Sequence, residues 1–269
     1  MIVTDSTAYL SPELAAELDV RTVPLHVVLG DWSFDEPDVQ PREFYRRLRE
    51  ADTKPTTSQP APGEFLAVFT EAAASADRIL CITCSSALSG THQSATIAAG
   101  MSPVPVDVVD SGTMSGGLLL TVSTVARAMA DGMDYDDALA LARAMSGRVW
   151  STWSSDTSAL LAAGGRLADD VPDGVAILGL EGGDMRVLGS ARTVEESVAL
   201  QAETILAAAA LSPTRVTVGH GDVPELADGL EQALTGRPGV LGIDRYVVGP
   251  VVGAHAGAGN FGASYQVAG

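Results

Sequence analysis

The sequence predicts an α/β protein in two parts, residues 1–150 around a parallel sheet and residues 151–269 as a second α/β domain. Three observations lead there. Short apolar runs alternate with longer helical patterns through the first half, which is the signature of βαβ units. At 269 residues, with 46% hydrophobic and 19% charged positions, the chain can bury the core of one large domain or two smaller ones. From about Val149 the texture changes to a Ser/Thr-rich stretch with Trp150 and Trp153, followed by a hairpin pattern.

The elements follow in order. Met1 to Thr4 is a short apolar strand, and Ser11-Pro12-Glu13 opens a helix with an N-cap and a first-turn proline. Arg21 to Leu29 reads as the next strand, Gly30 to Asp38 as a turn and short hairpin, and Gln40 to Glu50 as a helix with a charged face. Lys54 to Pro60 reads as irregular, because two prolines frame a run of hydroxyls. A helix over Pro62 to Ala76, a buried strand over Arg78 to Thr83 and an alanine-rich helix over Thr91 to Met101 come next. Val104 to Val109 is a strand and Gly116 to Ala130 a long apolar helix. In the second half, Leu160 to Arg166 ends a helix at a glycine pair, and Val175 to Leu180 and Met185 to Ala191 form a hairpin about Glu181-Gly182-Gly183-Asp184. Glu195 to Leu211 is a helix, Arg215 to Gly219 a strand, Glu225 to Leu234 a helix and Gly239 to Val248 a strand. Val248 to Asn260 is too glycine-rich for a stable helix and too apolar for a solvent loop.

The stretch from Arg78 to Ala95 organises the rest. A buried strand feeds a loop holding Ser85, Ser86, Ser89 and Gly90, and a helix starts at Thr91. Backbone N–H groups at such a helix start, with uncharged hydroxyls around them, suit an anion. In a parallel sheet the carboxyl ends of the strands gather the ligand loops, and Asp5-Ser6, Ser85 to Ser89 and Asp110-Ser111 all fall there. The expected occupant is the carboxylate of a small acid.

Composition excludes several classes. A net charge of −18 disfavours nucleic acid and anionic membrane surfaces. No run reaches the ~18 apolar residues that span a bilayer, and MIVTDSTAYL lacks the layout of a signal peptide, so a cytoplasmic protein is expected. Cys81 and Cys84 are spaced C-x-x-C, but their odd separation on a strand puts them on opposite faces and no partner set completes a metal site. They read as buried core thiols. A serine hydrolase lacks its G-x-S-x-G elbow here. Asp110-Ser111-Gly112-Thr113 matches an aspartic-protease motif in one copy only, before a helix rather than a β loop. Lys54 is the single lysine, and neither Gly164-Gly165-Arg166 nor Gly257-Ala258-Gly259 has the spacing of a phosphate loop, so no ATP site or other cofactor site is expected. Of the histidines, His26 and His220 read as structural, whereas His255 in its glycine-rich setting reads as functional.

Several motifs then coincide. Val3 to Thr7, Val23-Pro24-Leu25, Thr56-Thr57-Ser58-Gln59-Pro60, Ser85 to Ala95, Val109-Asp110-Ser111, Gly164-Gly165-Arg166 and Gly249 to His255 stand in the order found in DegV proteins, which the chain resembles over nearly its whole length. The resemblance implies a two-domain α/β protein that buries one long-chain fatty acid between its domains. It further implies a non-catalytic lipid-binding subunit that presents the carboxylate to a separate fatty acid kinase, which makes acyl phosphate for phospholipid synthesis. Carried over by position, the carboxylate group is Thr57 and Ser58 of the TSQP loop, Ser89, Gly90 and Thr91 of the SGT loop, His255, and Arg192 near it. Hydroxyls, an imidazole and a guanidinium supply the donors that a carboxylate beside hydrocarbon requires. A Ser/His hydrolase or acyltransferase acting on an acyl substrate is the alternative. Where the family commonly carries Tyr after SGT this chain has His92, and Thr193-Val194-Glu195-Glu196 replaces the usual basic residues after Arg192.

Overall fold

Residues 1–155, 167 and 172–267 are described by the computed structural model, and three sheets organise them. The first is parallel throughout: β1 (Ile2–Asp5), β2 (Val20–Val23), β6 (Ile79–Thr83) and β7 (Val106–Asp110), in the order β2-β1-β6-β7. Successive β6 side chains point to opposite faces, and both faces are covered. Leu80 and Ile82 pack with α5 (Gly116–Ala130) and α6 (Tyr135–Met145), while Ile79 and Cys81 pack with α3 (Pro62–Ala72) and α4 (Thr91–Ala99). This is why β6 reads as an unbroken apolar run rather than an alternating one. Cys81 and Cys84 are buried free thiols in these two cores. Helix α1 (Pro12–Glu17) starts where the sequence places it, with Ser11 Oγ accepting from the Leu14 N–H at 3.1 Å.

The second sheet is mixed and six-stranded. It contains β8 (Val149–Ser154), β9 (Val175–Glu181), β10 (Asp184–Ala191), β11 (Thr214–His220), β12 (Val240–Val247) and β13 (Phe261–Gln266), in the order β10-β9-β8-β13-β11-β12. Only β11 and β12 run parallel; the other ladders are antiparallel. Val216, Val218, Ala263 and Tyr265 on one face meet α7 (Val194–Leu211) and α8 (Pro224–Leu234). The other face is tied to α5, where Thr217 Oγ1 donates to the Gly116 carbonyl at 3.0 Å.

A small antiparallel sheet, β4 (Trp32–Asp35), β3 (His26–Leu29) and β5 (Thr56–Ser58), completes the fold, and α2 (Pro41–Glu50) packs against it through Phe44 and Tyr45. Here the structure corrects the sequence reading twice. Arg21 to Leu29 is two strands in two sheets, because Pro24 carries no N–H and the Leu25 N–H turns aside to Ser6 Oγ at 3.0 Å. Lys54 to Pro60 is not wholly irregular: Thr56–Ser58 adds to the edge of β3, with both prolines outside the paired residues.

Four further elements differ from expectation. Helix α6, capped by Asp134 accepting from the Asp137 N–H at 2.9 Å, was not anticipated. Neither were β8 and β13, whose Ser, Gly and Trp content hides two interior strands of the sheet. Pro250–Ala256 does form a helix, α9, despite its glycines. Tertiary packing overrides propensity there: a Cβ at Gly253 would lie 2.5 Å from Tyr45 Oη, so glycine is what lets the helix dock. The helix end predicted over Leu160 to Arg166, with Gly164-Gly165-Arg166, lies outside the described residues.

His26 fastens the small sheet to α3. Its Nδ1 is 2.7 Å from an Asp35 carboxylate oxygen and its Nε2 3.1 Å from Glu64. Partial burial opposes charge on the ring, but the two carboxylates outweigh it and raise its pKa above the ordinary 6.5. A raised imidazole contributes stability that is fully present below the ordinary value and lost as pH rises through the raised one. Urea unfolding of wild type and His26→Gln across pH is expected to show wild type ahead by roughly 1 kcal/mol in mild acid, with the gap closing in mild alkali. A gap that widens with pH would contradict this pairing.

Candidate functional site

The strand order reverses between β1 and β6, so the loops leaving their carboxyl ends diverge and open a crevice. Asp5 sits buried at its base. Its carboxylate accepts from the Thr7 N–H at 3.1 Å, the Thr7 hydroxyl at 2.5 Å and the Cys84 N–H at 2.7 Å, and burial pushes its pKa up. Most backbone donors of the Ser85 to Gly90 loop are also spoken for. Ser85 N–H donates to the Thr113 carbonyl at 2.7 Å, and those of Leu88 and Ser89 donate to the Ser85 carbonyl at 3.1 Å. Ala87 N–H reaches Ser85 Oγ at 3.3 Å, and Ser86 N–H reaches the Asp110 carboxylate at 3.2 Å. The backbone donors of the loop up to Ser89 are therefore taken from within, which leaves the start of α4, where the N-cap Gly90 has no side chain to cap the first turn, as the remaining part of the anion cradle read from the sequence. What this loop offers a ligand is its side chains: the Ser89 and Thr91 hydroxyls, 2.8 Å apart.

The second hydroxyl loop lies against the first. Gly90 leaves room for Gln59, since a Cβ there would fall 2.1 Å from Gln59 Oε1, and Gln59 Nε2 donates to Ser94 Oγ at 3.2 Å. Strand β5 holds Thr57 in place next to it, and Thr57 Oγ1 shares a hydrogen bond of 2.8 Å with His255 Nε2. Ser58, paired with His26 on the sheet edge, faces solvent. Of the residues picked from the sequence, the structure thus brings Thr57 to His255 and sets Gly90 of the SGT loop beside Gln59. It does not bring Arg192 to them. Arg192 stands in solvent at the end of β10 and pairs with Glu196 at 3.3 Å, holding that carboxyl below its usual range.

His255 is carried by α9, and a buried carboxylate fixes where α9 begins. Glu36 accepts from the Val251 N–H at 2.7 Å, the Tyr9 hydroxyl at 3.2 Å and the Ser6 hydroxyl at 2.5 Å, while Tyr9 Oη accepts from the Val252 N–H at 3.1 Å. First-turn N–H groups lack partners within their helix, and a carboxylate there also meets the positive end of the dipole. Burial raises the Glu36 pKa to about 7 despite these donors. Sequence reading passed over Glu36 and Tyr9, because Asp35-Glu36-Pro37 has the look of a solvated turn and nothing local shows that it meets residue 251.

Between α9, the start of α5 and the face of the second sheet lies a cavity with about 720 Å³ of empty space, mouth included. His255 opens into it, and Trp153, Leu180, Met185, Val251 and Phe261 supply apolar wall. Strand register explains the floor. Trp153, Gly262, Gly219 and Tyr246 are successive neighbours across β8, β13, β11 and β12. A Cβ on Gly262 would lie 2.4 Å from Trp153 Cβ, and one on Gly219 would lie 2.2 Å from the Tyr246 ring. The two glycines let the aromatics lie down on the sheet. An apolar space with a few convergent polar groups is the usual form of a small-molecule site. Among the described residues no cluster of three or more His, Cys, Asp or Glu is placed to hold a metal, and no helix is long and apolar enough to cross a membrane.

Comparison with known proteins extends the geometry. The family described as "Uncharacterised protein, DegV family" matches residues 1–268. A DegV domain-containing protein of Streptomyces coelicolor is 35% identical over 270 residues, covering 97% of this chain and 96% of its own. Among solved structures, a fatty-acid-binding DegV family protein of Thermus thermophilus is 29% identical with a TM-score of 0.92, covering 100% of this chain and 99% of its own. DegV of Bacillus subtilis, described as a fatty acid binding protein, is 27% identical with a TM-score of 0.91, covering 99% and 98%.

Proposed function

The chain belongs to the DegV family, and from that premise we propose that it binds one long-chain fatty acid and presents the carboxylate to a separate fatty acid kinase. The observation that carries the reading is a polar pair, Thr57 and His255, at the edge of an apolar cavity lined by the same histidine. A carboxylate placed beside hydrocarbon must receive hydrogen bonds or take up a proton. The hydroxyls of Thr57, Ser89 and Thr91 and the His255 imidazole are its donors, with Gly90 keeping the two loops in register. The methylene chain then runs over the Gly219 and Gly262 floor. In this reading residues 1–150 contribute the hydroxyl loops, residues 151–269 close the acyl pocket, and Ser58 and Arg192 stay at the solvent side.

The protein itself performs no covalent step; it acts in the cytoplasm as the lipid-binding half of a two-chain enzyme feeding phospholipid synthesis. The fatty-acid-binding relatives of Thermus thermophilus and Bacillus subtilis support the lipid. The kinase is what the resemblance to the family implies. Native mass spectrometry of protein purified from a heterologous host is expected to show one fatty acid per chain, released unmodified on denaturation. An empty protein that takes up no added fatty acid, or a serine that a fluorophosphonate probe labels covalently, would replace this reading with the Ser/His hydrolase or acyltransferase.

A further inference from the structure

Tyr246 belongs to two spaces at once. On one side its ring closes the cavity beside Gly219, and on the other it lines a separate, larger cleft that also borders Tyr9, Leu119, Arg127 and Pro250. Four contacts fix the ring as a partition. It stacks on Tyr9 with centroids 6.1 Å apart and planes within 12°. Its hydroxyl accepts from Ser115 Oγ at 3.1 Å. A Cβ on Gly219 would fall 2.2 Å from the ring, and one on Gly116 would fall 2.7 Å from the hydroxyl. Two backbones thus approach the tyrosine as closely as only glycine permits.

The cleft lies at the opposite end of α9 from His255. It touches Gly249 and Pro250, where the helix begins, whereas His255 and Ala256 belong to its last turn. Resting on the fatty-acid reading above, we infer that Tyr246 is the residue that limits how much hydrocarbon the site accepts. It walls the acyl cavity off from a neighbouring space that would otherwise receive more chain. The cleft presents apolar surface from Leu10, Leu14 and Leu119 to such an extension, beside the charged Arg127, Asp244 and Arg245 that also line it.

The test compares wild type, Tyr246→Phe, Tyr246→Leu and Tyr246→Ala, each stripped of lipid and reloaded from an equimolar mixture of straight-chain acids from myristic to lignoceric. Native mass spectrometry reads the bound species, and circular dichroism confirms the fold of each variant. Wild type and Tyr246→Phe are expected to hold the same chains. The Ala and Leu variants are expected to shift toward longer acids, each further buried methylene enriching the longer homologue by roughly 3- to 4-fold. An unchanged chain distribution in a folded, fully loaded Ala or Leu variant overturns the partition while leaving lipid binding intact. A wild type that loads no acid overturns the lipid reading itself, and this inference with it.

Discussion

A Glu36→Ala variant is expected to lose about 3 kcal/mol of stability, because it strands buried donors on two sides of the molecule. The Ser6 and Tyr9 hydroxyls and the Val251 N–H all point at this carboxylate. Alanine leaves them without that acceptor at a site that is almost wholly buried. The loss extends to ligand affinity, since the first turn of the helix bearing His255 is released. Glu36→Gln is the informative companion. Its amide oxygen still accepts from Val251 and its NH₂ donates to Ser6 Oγ, so the hydrogen bonds largely survive without the charge. Burial raises the Glu36 pKa from 4.5 to about 7, so the native state binds its proton more tightly than the unfolded chain does. The stability this confers is complete below pH 4.5 and is lost as pH rises through about 7. Denaturant melts should therefore show wild type falling by up to roughly 3 kcal/mol relative to Glu36→Gln across that window. Parallel pH profiles for the two proteins would show that Glu36 is not the buried titrating group.

His255→Ala is expected to weaken fatty-acid binding by roughly 10- to 100-fold, the effect of losing one hydrogen bond to a charged group. Displacement of a fluorescent fatty acid measures it. The fold should survive, because His255 is only partly buried and the docking of α9 rests on Val251, Ala254 and Gly253 against Tyr45 and Phe44. Thr57→Ala should fall short of this, and the double variant should lose less than the sum, since the two side chains share the bond at 2.8 Å. Full additivity, or affinity unchanged in His255→Ala, would remove the imidazole from the carboxylate site.

What the sequence made legible follows from where the forces were local. The first sheet was readable because β1, β6 and β7 are covered on one or both sides by helices and so keep a simple apolar run with polar punctuation. Thr57 and His255, chosen 198 positions apart, meet in the structure, although no local pattern pairs them. The choice rested on ordered motifs rather than on periodicity. The misreadings were of another kind. Pro24 was read past as part of one strand when it marks the switch between sheets. Helix α9 and strands β8 and β13 contain small or polar residues because aromatic rings and a cavity press on them, so their composition records tertiary contacts that no window of sequence displays. Glu36 belongs with them: its partners come from residues 6, 9 and 251.

The position of β13 in its sheet bears on how the molecule comes into being. It follows every other described strand in the chain, yet it lies in the middle of the sheet, between β8 and β11. During synthesis β8 and β11 must therefore wait with open edges until Phe261–Gln266 emerges, and Gly262 of the cavity floor arrives with it. The first sheet has all its strands by Asp110 and the helices that cover it by Met145, and can close long before. The cavity floor is thus complete only once Phe261–Gln266 has been made, and on the reading proposed above a nascent chain that stops short of it takes up no lipid.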